Sequence, residues 1–269
     1  MLKVLTVAGS DPSGGAGVQA DLKTMAAHGV YGMSVVTALT AQNTTGVFEV
    51  AEMTPEFVGR QLDAVFSDIP PDAVKIGMVS STAVIRVIAA KLREYRAPRV
   101  VLDPVMEATS GGKLIRSDAA AALVSELFPL AAVITPNMAE AAKLSGLKVE
   151  NRAEMFAAAA RIAADYAGYI LLKGGHLPDG ADDLLYSREK ADWLQGERVA
   201  TANTHGTGCT LSAALACRLA AGADMRAGAA AAKAYVTGAL RAGLDLGRGR
   251  GPLNHMYALP AAEPGSWPA

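Results

Sequence analysis

One short segment holds the residue types that could bind a phosphate group and move a proton. In Gly206-Thr207-Gly208-Cys209 two glycines flank a threonine, and the apolar, alanine-rich residues 211–217 that follow predict a buried helix. The first amides of a helix lack partners within it, and its dipole is positive at that end, so we expect an anion in front of Cys209. A thiol there should have a lowered pKa and could accept a proton or act as a nucleophile. From these residues alone, a plain turn before a core helix, with Cys209 as a small buried hydrophobe, stays open.

Three charged residues each follow a short apolar run that predicts a strand: Asp103, Glu140 and Lys173. The carboxyl ends of parallel strands meet at one edge of a sheet, so these side chains should gather there. Two carboxylates can hold Mg²⁺ together with phosphate oxygens, and a lysine can pair with phosphate as a point charge. Taken singly, Asp103 also suits a turn before proline and Glu140 the first turn of a helix, and both alternatives stay open.

Two polar segments are candidates for contacting a substrate. Residues 9–17 are rich in glycine, which lets the backbone approach a ligand closely. Residues 40–45 follow a predicted strand, and the amide of Gln42 can both donate and accept, which suits the edge of a heteroaromatic ring. A polar hairpin turn is the alternative for residues 40–45.

Apolar strand patterns and amphipathic helix patterns alternate along the chain. Strands are predicted at residues 2–8, 33–39, 73–76, 99–102, 132–134 and 169–173, and helices at 18–28, 54–66, 82–95, 117–127, 152–166 and 226–240. This order predicts an α/β fold with a parallel sheet and helices on both faces, with a hairpin formed by residues 182–186 and 192–201. Because no repeat or linker interrupts the pattern, we expect one domain over residues 1–257 and a frayed tail over 258–269.

The composition narrows the kind of partner. Of the 269 residues 51% are hydrophobic and the formal net charge is −1, which gives no basic surface for nucleic acid or for a membrane and favours a small-molecule ligand. No apolar run reaches the roughly 18 residues of a membrane span, and the early strand leaves no room for a signal peptide. Cys209 and Cys217 are poorly placed for a disulfide. We therefore expect a soluble cytoplasmic protein.

One familiar nucleotide-binding pattern is present but incomplete. Residues 15–20 match the dinucleotide fingerprint G-x-G-x-x-A, yet the next strand, around residues 35–39, lacks the acidic residue that this fingerprint requires. We therefore reject a dinucleotide-binding fold.

Taken together, these segments resemble the hydroxymethylpyrimidine/phosphomethylpyrimidine kinases of thiamine biosynthesis, a family of the ribokinase superfamily. The resemblance is collinear over about residues 2–257 and is carried by residues 8–17, 37–44, 103–106, 135–140, 173–176 and 206–209. It implies a ribokinase-like three-layer α/β/α fold with a central, mostly parallel sheet. It also implies ATP-dependent phosphorylation of 4-amino-5-hydroxymethyl-2-methylpyrimidine and then of its monophosphate, to give the pyrophosphate.

The resemblance also implies roles for individual residues. The residues expected to line the pyrimidine pocket are Gly9, Asp21, Gln42 and Val105. The residues expected to bind ATP are Asn137, Glu140, Lys173 and Thr204, with Asp103 and Glu140 holding Mg²⁺. The catalytic set is Lys173, the anion hole of Gly206, Thr207 and Gly208, and Cys209 as base, where most sugar kinases of the superfamily have aspartate. Arg248 and Arg250 stand where the family more typically has histidine, and the resemblance gives them no role.

Two other functions stay open. A pyridoxal kinase of the same fold can share the Gly-Thr-Gly-Cys segment, but Gln42 favours an aminopyrimidine because its amide can pair with the ring nitrogen and the exocyclic amine. A non-catalytic pyrimidine-binding protein would have no need of Asp103, Lys173 and Cys209 together. The expected partners are the pyrimidine and ATP, without nucleic acid or membrane, and a homodimer is an open possibility.

Overall fold

The computed structural model describes residues 1–106 and 117–260, which contain nine strands and eight α-helices. The strands are β1 (Lys3–Ser10), β2 (Tyr31–Asn43), β3 (Gly46–Glu52), β4 (Ala73–Ile76), β5 (Val100–Leu102), β6 (Val133–Ile134), β7 (Tyr169–Leu172), β8 (Asp183–Tyr186) and β9 (Ala191–Leu194). The helices are α1 (Gly17–Ala27), α2 (Pro55–Asp68), α3 (Thr82–Glu94), α4 (Ser117–Ala122), α5 (Met138–Ser145), α6 (Arg152–Ala163), α7 (Thr207–Ala220) and α8 (Met225–Ala242).

The described strands form one sheet in the order β3-β2-β1-β4-β5-β6-β7-β8-β9. The six strands from β2 to β7 in this order pair in parallel, so their carboxyl ends share one edge. The outer strand β3 and the hairpin of β8 and β9 run antiparallel at the two sides of the sheet. The expected mostly parallel sheet is therefore confirmed.

Two apolar cores cover the two faces of the sheet, because successive side chains of a strand point to opposite faces. On β1, Leu5 and Val7 belong to the core shared with α2 to α6, whereas Val4 belongs to the core shared with α1, α7 and α8. Strands buried on both sides read as continuous apolar runs, which is the pattern that predicted them. The structure thus has the ribokinase-like three-layer α/β/α arrangement expected from the sequence.

The structure departs from the predicted elements at three places. The strand predicted to end at residue 39 continues to Asn43 and turns into β3, so the hairpin alternative for residues 40–45 is confirmed. The helix predicted over residues 117–127 becomes a π-helical turn at Leu123–Leu127 and then a short 3₁₀ turn at Phe128–Leu130, where Pro129 lacks the amide that would continue the helix. The strand predicted over residues 192–201 ends at Leu194.

The limits of the domain stay a prediction. Residues 258–260 of the expected frayed tail form the end of a turn, and residues 261–269 lie outside the described residues. Across the described ranges, no helix is both long enough and apolar enough to cross a lipid bilayer.

A fully buried ion pair fastens α1 to the sheet. Lys75 Nζ, on β4, lies 2.7 Å from Asp21 Oδ2, on α1, and neither side chain is exposed. The hydroxyl of Thr6, on β1, donates to the same carboxylate oxygen over 2.6 Å. Burial works against the ammonium ion, but Asp21 and other nearby acidic groups outweigh it and raise the pKa of Lys75. Lys75 is therefore charged, and its charge depends on Asp21 for compensation.

We predict that Lys75→Met lowers the free energy of unfolding by about 3–5 kcal/mol, because it leaves Asp21 as an unpaired buried acid. The matched control is Lys3→Met, which removes the partly exposed pair with Asp72 and should cost less than about 1 kcal/mol. Urea unfolding measures both, and Lys75→Met with Asp21→Asn should recover part of the loss. Equal small losses in the two single variants would show that the buried pair does not fasten the helix.

Candidate active site

A cavity of about 770 Å³ opens at the carboxyl edge of the parallel strands and extends to the start of α7. Its lining includes all but one of the residues that the sequence indicated for the site. Those that line it are Gly9, Gln42, Asp103, Val105, Asn137, Glu140, Lys173, Thr204, Gly206, Thr207, Gly208 and Cys209. Strand ends far apart in sequence meet here because six parallel strands share one edge, as α/β sheets require.

The one exception is Asp21. Its carboxylate lies between α1 and the sheet, fully buried and bonded to Lys75 and Thr6, and Asp21 is not part of the cavity lining. Asp21 therefore does not reach the cavity in this structure, and its contact with the pyrimidine stays a prediction. The physical reason is that a buried lysine forms an ion pair with the carboxylate. The sequence pattern did not reveal this lysine.

The start of α7 is the segment expected to form the anion hole. Gly206 precedes the helix with a φ of 83°, in the left-handed region, and no side chain caps the first amides of the helix. These amides lack partners within the helix, so the amides of Gly208 and Cys209 are available to an anion in the cavity. The amide of Gly17, the first residue of α1, donates to the sulfur of Cys209. Two helix starts thus converge on the thiol.

The turn before α7 needs glycine for two reasons. A Cβ on Gly206 would overlap the carbonyl oxygen of Gly15, because the loop before α1 packs directly against this turn. The positive φ would add strain for any other residue. The Gly-rich loop and the anion hole therefore position each other.

A polar network that the sequence analysis did not assign joins the same two segments. Asp11 accepts hydrogen bonds from the amides of Ser13, Gly15 and Ala16. His205 Nε2 lies 2.8 Å from Asp11 Oδ2, and the Gln42 amide nitrogen lies 3.4 Å from the same ring atom. The Asp-Pro-Ser-Gly pattern could have indicated the turn at Asp11, but no local signal reveals a partner 194 positions away.

Lys173 and Asp103 lie beneath the anion hole. Lys173 Nζ is 2.9 Å from Asp103 Oδ1, which also accepts from the hydroxyl of Thr135 over 2.9 Å. A Cβ on Gly208 would lie only 3.2 Å from Lys173 Nζ and 3.4 Å from Asp103 Oδ2. A phosphate held by the amides of α7 would thus meet the ammonium group directly.

Glu140 both caps a helix and contributes to the buried charge of the site. Its carboxylate accepts from the amide of Asn137 over 2.7 Å, while the Asn137 side chain accepts from the Glu140 amide, so the two residues form the capping box of α5. The first-turn alternative for Glu140 is thus confirmed. Burial and the neighbouring Asp103 raise the pKa of Glu140 above its ordinary value, although Lys173 opposes this. The buried set of two acids and one lysine therefore has one negative charge in excess when all are ionised.

A divalent cation fits this charge balance. Mg²⁺ commonly takes one or two protein carboxylates and completes its coordination with water and phosphate oxygens. Asp103 and Glu140 line the cavity beside Lys173 and are the acids that would hold such an ion. Within the described ranges no three His, Cys, Asp or Glu side chains cluster as a metal site.

The sequence argument about the acidity of Cys209 is wrong. Burial raises the pKa of the thiol to about 11, even though Lys75 and the Gly17 amide favour the thiolate. Although Cys209 lines the cavity and is partly exposed, the acids Asp21 and Asp103 add to the effect of burial, and together these outweigh the helix start.

We predict that Gly206→Ala destabilises the protein by clearly more than Gly222→Ala. Both glycines have φ near 84°, but only Gly206 has backbone where the new Cβ would lie, and nothing lies within 4 Å at Gly222. Gly222→Ala should cost about 1–2 kcal/mol from φ alone. Urea unfolding gives both values, and equal costs would mean that the contact with Gly15 yields easily.

A family model and several named relatives match the chain. The family model described as phosphomethylpyrimidine kinase matches residues 11–254. The hydroxymethylpyrimidine/phosphomethylpyrimidine kinase of Rhizobium meliloti is 51% identical over 94% of this chain and 96% of that protein. The thiamine biosynthesis bifunctional protein of Geobacter sulfurreducens is also 51% identical over 95% of the chain, which spans 52% of that longer protein.

Solved structures of a phosphomethylpyrimidine kinase and of a pyridoxal kinase also match the chain. The phosphomethylpyrimidine kinase of Clostridium difficile is 43% identical with a TM-score of 0.79, covering 88% of this chain and 98% of that one. The pyridoxal kinase of Bacillus subtilis, solved as an ADP complex, is 38% identical with a TM-score of 0.88, covering 96% and 98%. With the family model matching most of its length, the chain belongs to the phosphomethylpyrimidine kinase family.

Proposed function

We propose that the protein transfers the terminal phosphoryl group of ATP to 4-amino-5-hydroxymethyl-2-methylpyrimidine and then to the resulting monophosphate. The observation that carries this proposal is the joining of Gln42, the anion hole and Lys173 in one cavity. The family match and the relatives named as kinases of both pyrimidines support it. Pyridoxal kinases of the same fold, including one solved with AMP-PCP and pyridoxal, support the use of ATP.

The cavity has an acceptor end and a donor end on either side of Cys209. The acceptor end contains Gly9, Gln42 and Val105, whose amide and backbone groups can pair with an aminopyrimidine. The donor end contains Lys173 and the apolar side chains Val236 and Leu240, which suit a triphosphate and a purine. A ligand at each end would bring the hydroxymethyl group and the terminal phosphate together at the start of α7.

The chemistry of phosphoryl transfer suits this arrangement. The transition state is loose, so the protein accelerates it mainly by positioning and by stabilising negative charge. The amides of Gly208 and Cys209 and the ammonium group of Lys173 are placed to do both. Mg²⁺ held by Asp103 and Glu140 would neutralise phosphate charge when bound.

Cys209 is proposed to accept the proton of the attacking hydroxyl group. A thiol can do so only as thiolate, and with a pKa of about 11 the thiolate is a minor species at neutral pH. The thiolate population rises with pH, because the thiolate forms when the neutral thiol loses its proton. Lys75, which is buried nearby and positively charged, favours the thiolate and limits the rise in pKa.

We predict that kcat rises by about tenfold per pH unit between about pH 7 and pH 10, following the thiolate population. Cys209→Asp should give a flat profile in this range, because its carboxylate is already ionised. Cys209→Ala should keep the fold and lower turnover by roughly 10²–10⁴-fold. Wild-type turnover in Cys209→Ala, or a flat wild-type profile, would contradict the role of Cys209 as base.

The function is tested by ADP release with the pyrimidine alcohol, its monophosphate, pyridoxal and pyridoxine, in wild type and in Gln42→Met. Loss of a paired amide in a desolvated pocket should cost the pyrimidine on the order of 1–3 kcal/mol, or roughly 5- to 150-fold in kcat/KM. Pyridoxal lacks the exocyclic amine and should suffer less. If the pyrimidine value is unchanged while the pyridoxal value falls, the pyridoxal kinase alternative takes over.

Pyridoxal kinase is the second candidate because several pyridoxal kinases align with almost the whole chain. The pyridoxal kinase of Staphylococcus aureus in complex with pyridoxal reaches a TM-score of 0.89 at 34% identity. The named pyrimidine kinases reach higher identities, and Gln42 offers the donor and acceptor pair that an aminopyrimidine needs. These observations favour the pyrimidine.

The remaining partner predictions are part of the proposal. We expect no nucleic acid or membrane partner, and the cytoplasm stays the predicted location. A homodimer also stays a prediction, supported by the exposed apolar side chains of Leu39, Phe48, Val50 and Phe57 on and beside the edge hairpin.

A further inference from the structure

The segment from Gly247 to Gly251 closes one side of the acceptor end. The amide of Arg250 donates to the carbonyl of Thr44 over 3.0 Å, two residues after Gln42. The carbonyl of Gly251 accepts from the amide of His205 over 3.0 Å, one residue before Gly206. Arg250 is therefore held between the hairpin that bears Gln42 and the turn that begins the anion hole.

The glycines on either side of Arg250 let the backbone lie close to two neighbouring segments. A Cβ on Gly249 would overlap the carbonyl oxygen of Thr44, and one on Gly251 would overlap the side-chain oxygen of Asn203. The backbone can therefore lie this close only without side chains at both positions. Arg250, between them, lines the cavity, whereas Arg248 does not.

Arg250 differs from the other cations that line the cavity in the described part of the chain. Lys173 pairs with Asp103, and Lys233 pairs with Asp183 at 2.7 Å. Arg198 donates to the carbonyl of Leu177 over 2.7 Å. The guanidinium of Arg250 forms no hydrogen bond or ion pair with any described residue. It is exposed and available to a ligand.

The two proposed acceptors differ by one phosphate group. The pyrimidine alcohol is neutral, whereas its monophosphate carries up to two negative charges. Asp11 also lines the cavity; burial works against its charged form, but its hydrogen bonds to His205, Ser13 and Ala16 lower the pKa of the carboxyl group. A positive charge near Gln42 would therefore favour the anionic acceptor over the neutral one. Arginine is suited to it because its planar fork matches phosphate oxygens.

We infer that Arg250 is a binding residue for the phosphate group of the second acceptor, and thereby selects between the two phosphorylation steps. This inference rests on the proposed function. Arg250 contributes to holding the monophosphate and not to the transfer itself. The neutral alcohol binds through Gln42 and neighbouring groups without it.

The experiment compares Arg250→Gln with the matched variant Arg248→Gln, which changes the same residue type on the same segment outside the cavity lining. Steady-state kinetics are measured at saturating ATP with the pyrimidine alcohol and, separately, with its monophosphate. Arg250→Gln should raise KM for the monophosphate by roughly 5- to 30-fold, because it removes a partly exposed charge-assisted contact. It should change KM for the alcohol by less than about twofold. Arg248→Gln should change neither, and Arg250→Lys should restore part of the affinity.

Ionic strength gives a readout that a purely structural role would not move. Salt should raise the wild-type KM for the monophosphate, and this dependence should weaken in Arg250→Gln. Equal changes in KM for both acceptors, no change for either, or an unaltered salt dependence would overturn the inference.

Calorimetric titration of both pyrimidines without nucleotide separates this inference from the proposed function. If wild type binds the pyrimidines but does not release ADP with them, the proposed function fails. The inference about Arg250 is then still tested by how Arg250→Gln changes the affinities for the alcohol and for the monophosphate. If wild type releases ADP with both while Arg250→Gln shows no selective loss, the inference alone fails. Binding of neither pyrimidine to wild type would overturn both.

Discussion

The contact between the turn before α7 and the loop before α1 sets the geometry of the whole site. Gly206 lies against the carbonyl of Gly15 so closely that no side chain fits between them. His205 adds the bond to Asp11, which itself gathers the amides of its loop. Because both loops begin helices, this contact aims two helix starts at one point, where Cys209 lies. The residues proposed as acceptor site, anion hole and base are positioned together as a result.

Charge balance is the second constraint. The space between the sheet and α7 contains Lys75, Asp21, Asp103, Glu140 and Lys173, all of them mostly or wholly buried. Lys75 and Asp21 neutralise each other and hold α1 to the sheet, and their opposite effects both act on the pKa of Cys209. The other three leave a negative excess that suits a divalent cation with phosphate. The same interior raises the pKa of Cys209, so the thiol stays neutral at neutral pH and adds no further charge to the buried acids around it.

The two ends of the cavity differ in how their charges are satisfied. Among the described residues that line the cavity, Lys173 pairs with Asp103 and Lys233 pairs with Asp183, which fixes the positions of both ammonium groups. At the acceptor end, Arg250 remains without a described partner beside the amide of Gln42. A protein that handles a neutral and an anionic form of one ring would need this difference, because a permanently paired cation could not respond to the second form.

The sequence by itself determined the layered α/β fold and the gathering of nearly all of the singled-out residues at one cavity, for a physical reason. Buried parallel strands must be apolar throughout, so they stand out, and whatever polar residue follows each must lie at their shared edge; Asp103, Lys173 and Gln42 could be placed in this way. Contacts between distant segments were decided only by the tertiary structure. Lys75 read as one residue of an apolar strand, yet packing brings it to Asp21 and takes that acid out of the pocket. The bond of His205 to Asp11, the place of Arg250 and the raised pKa of Cys209 likewise depend on burial and on neighbours far along the chain, which no local pattern encodes.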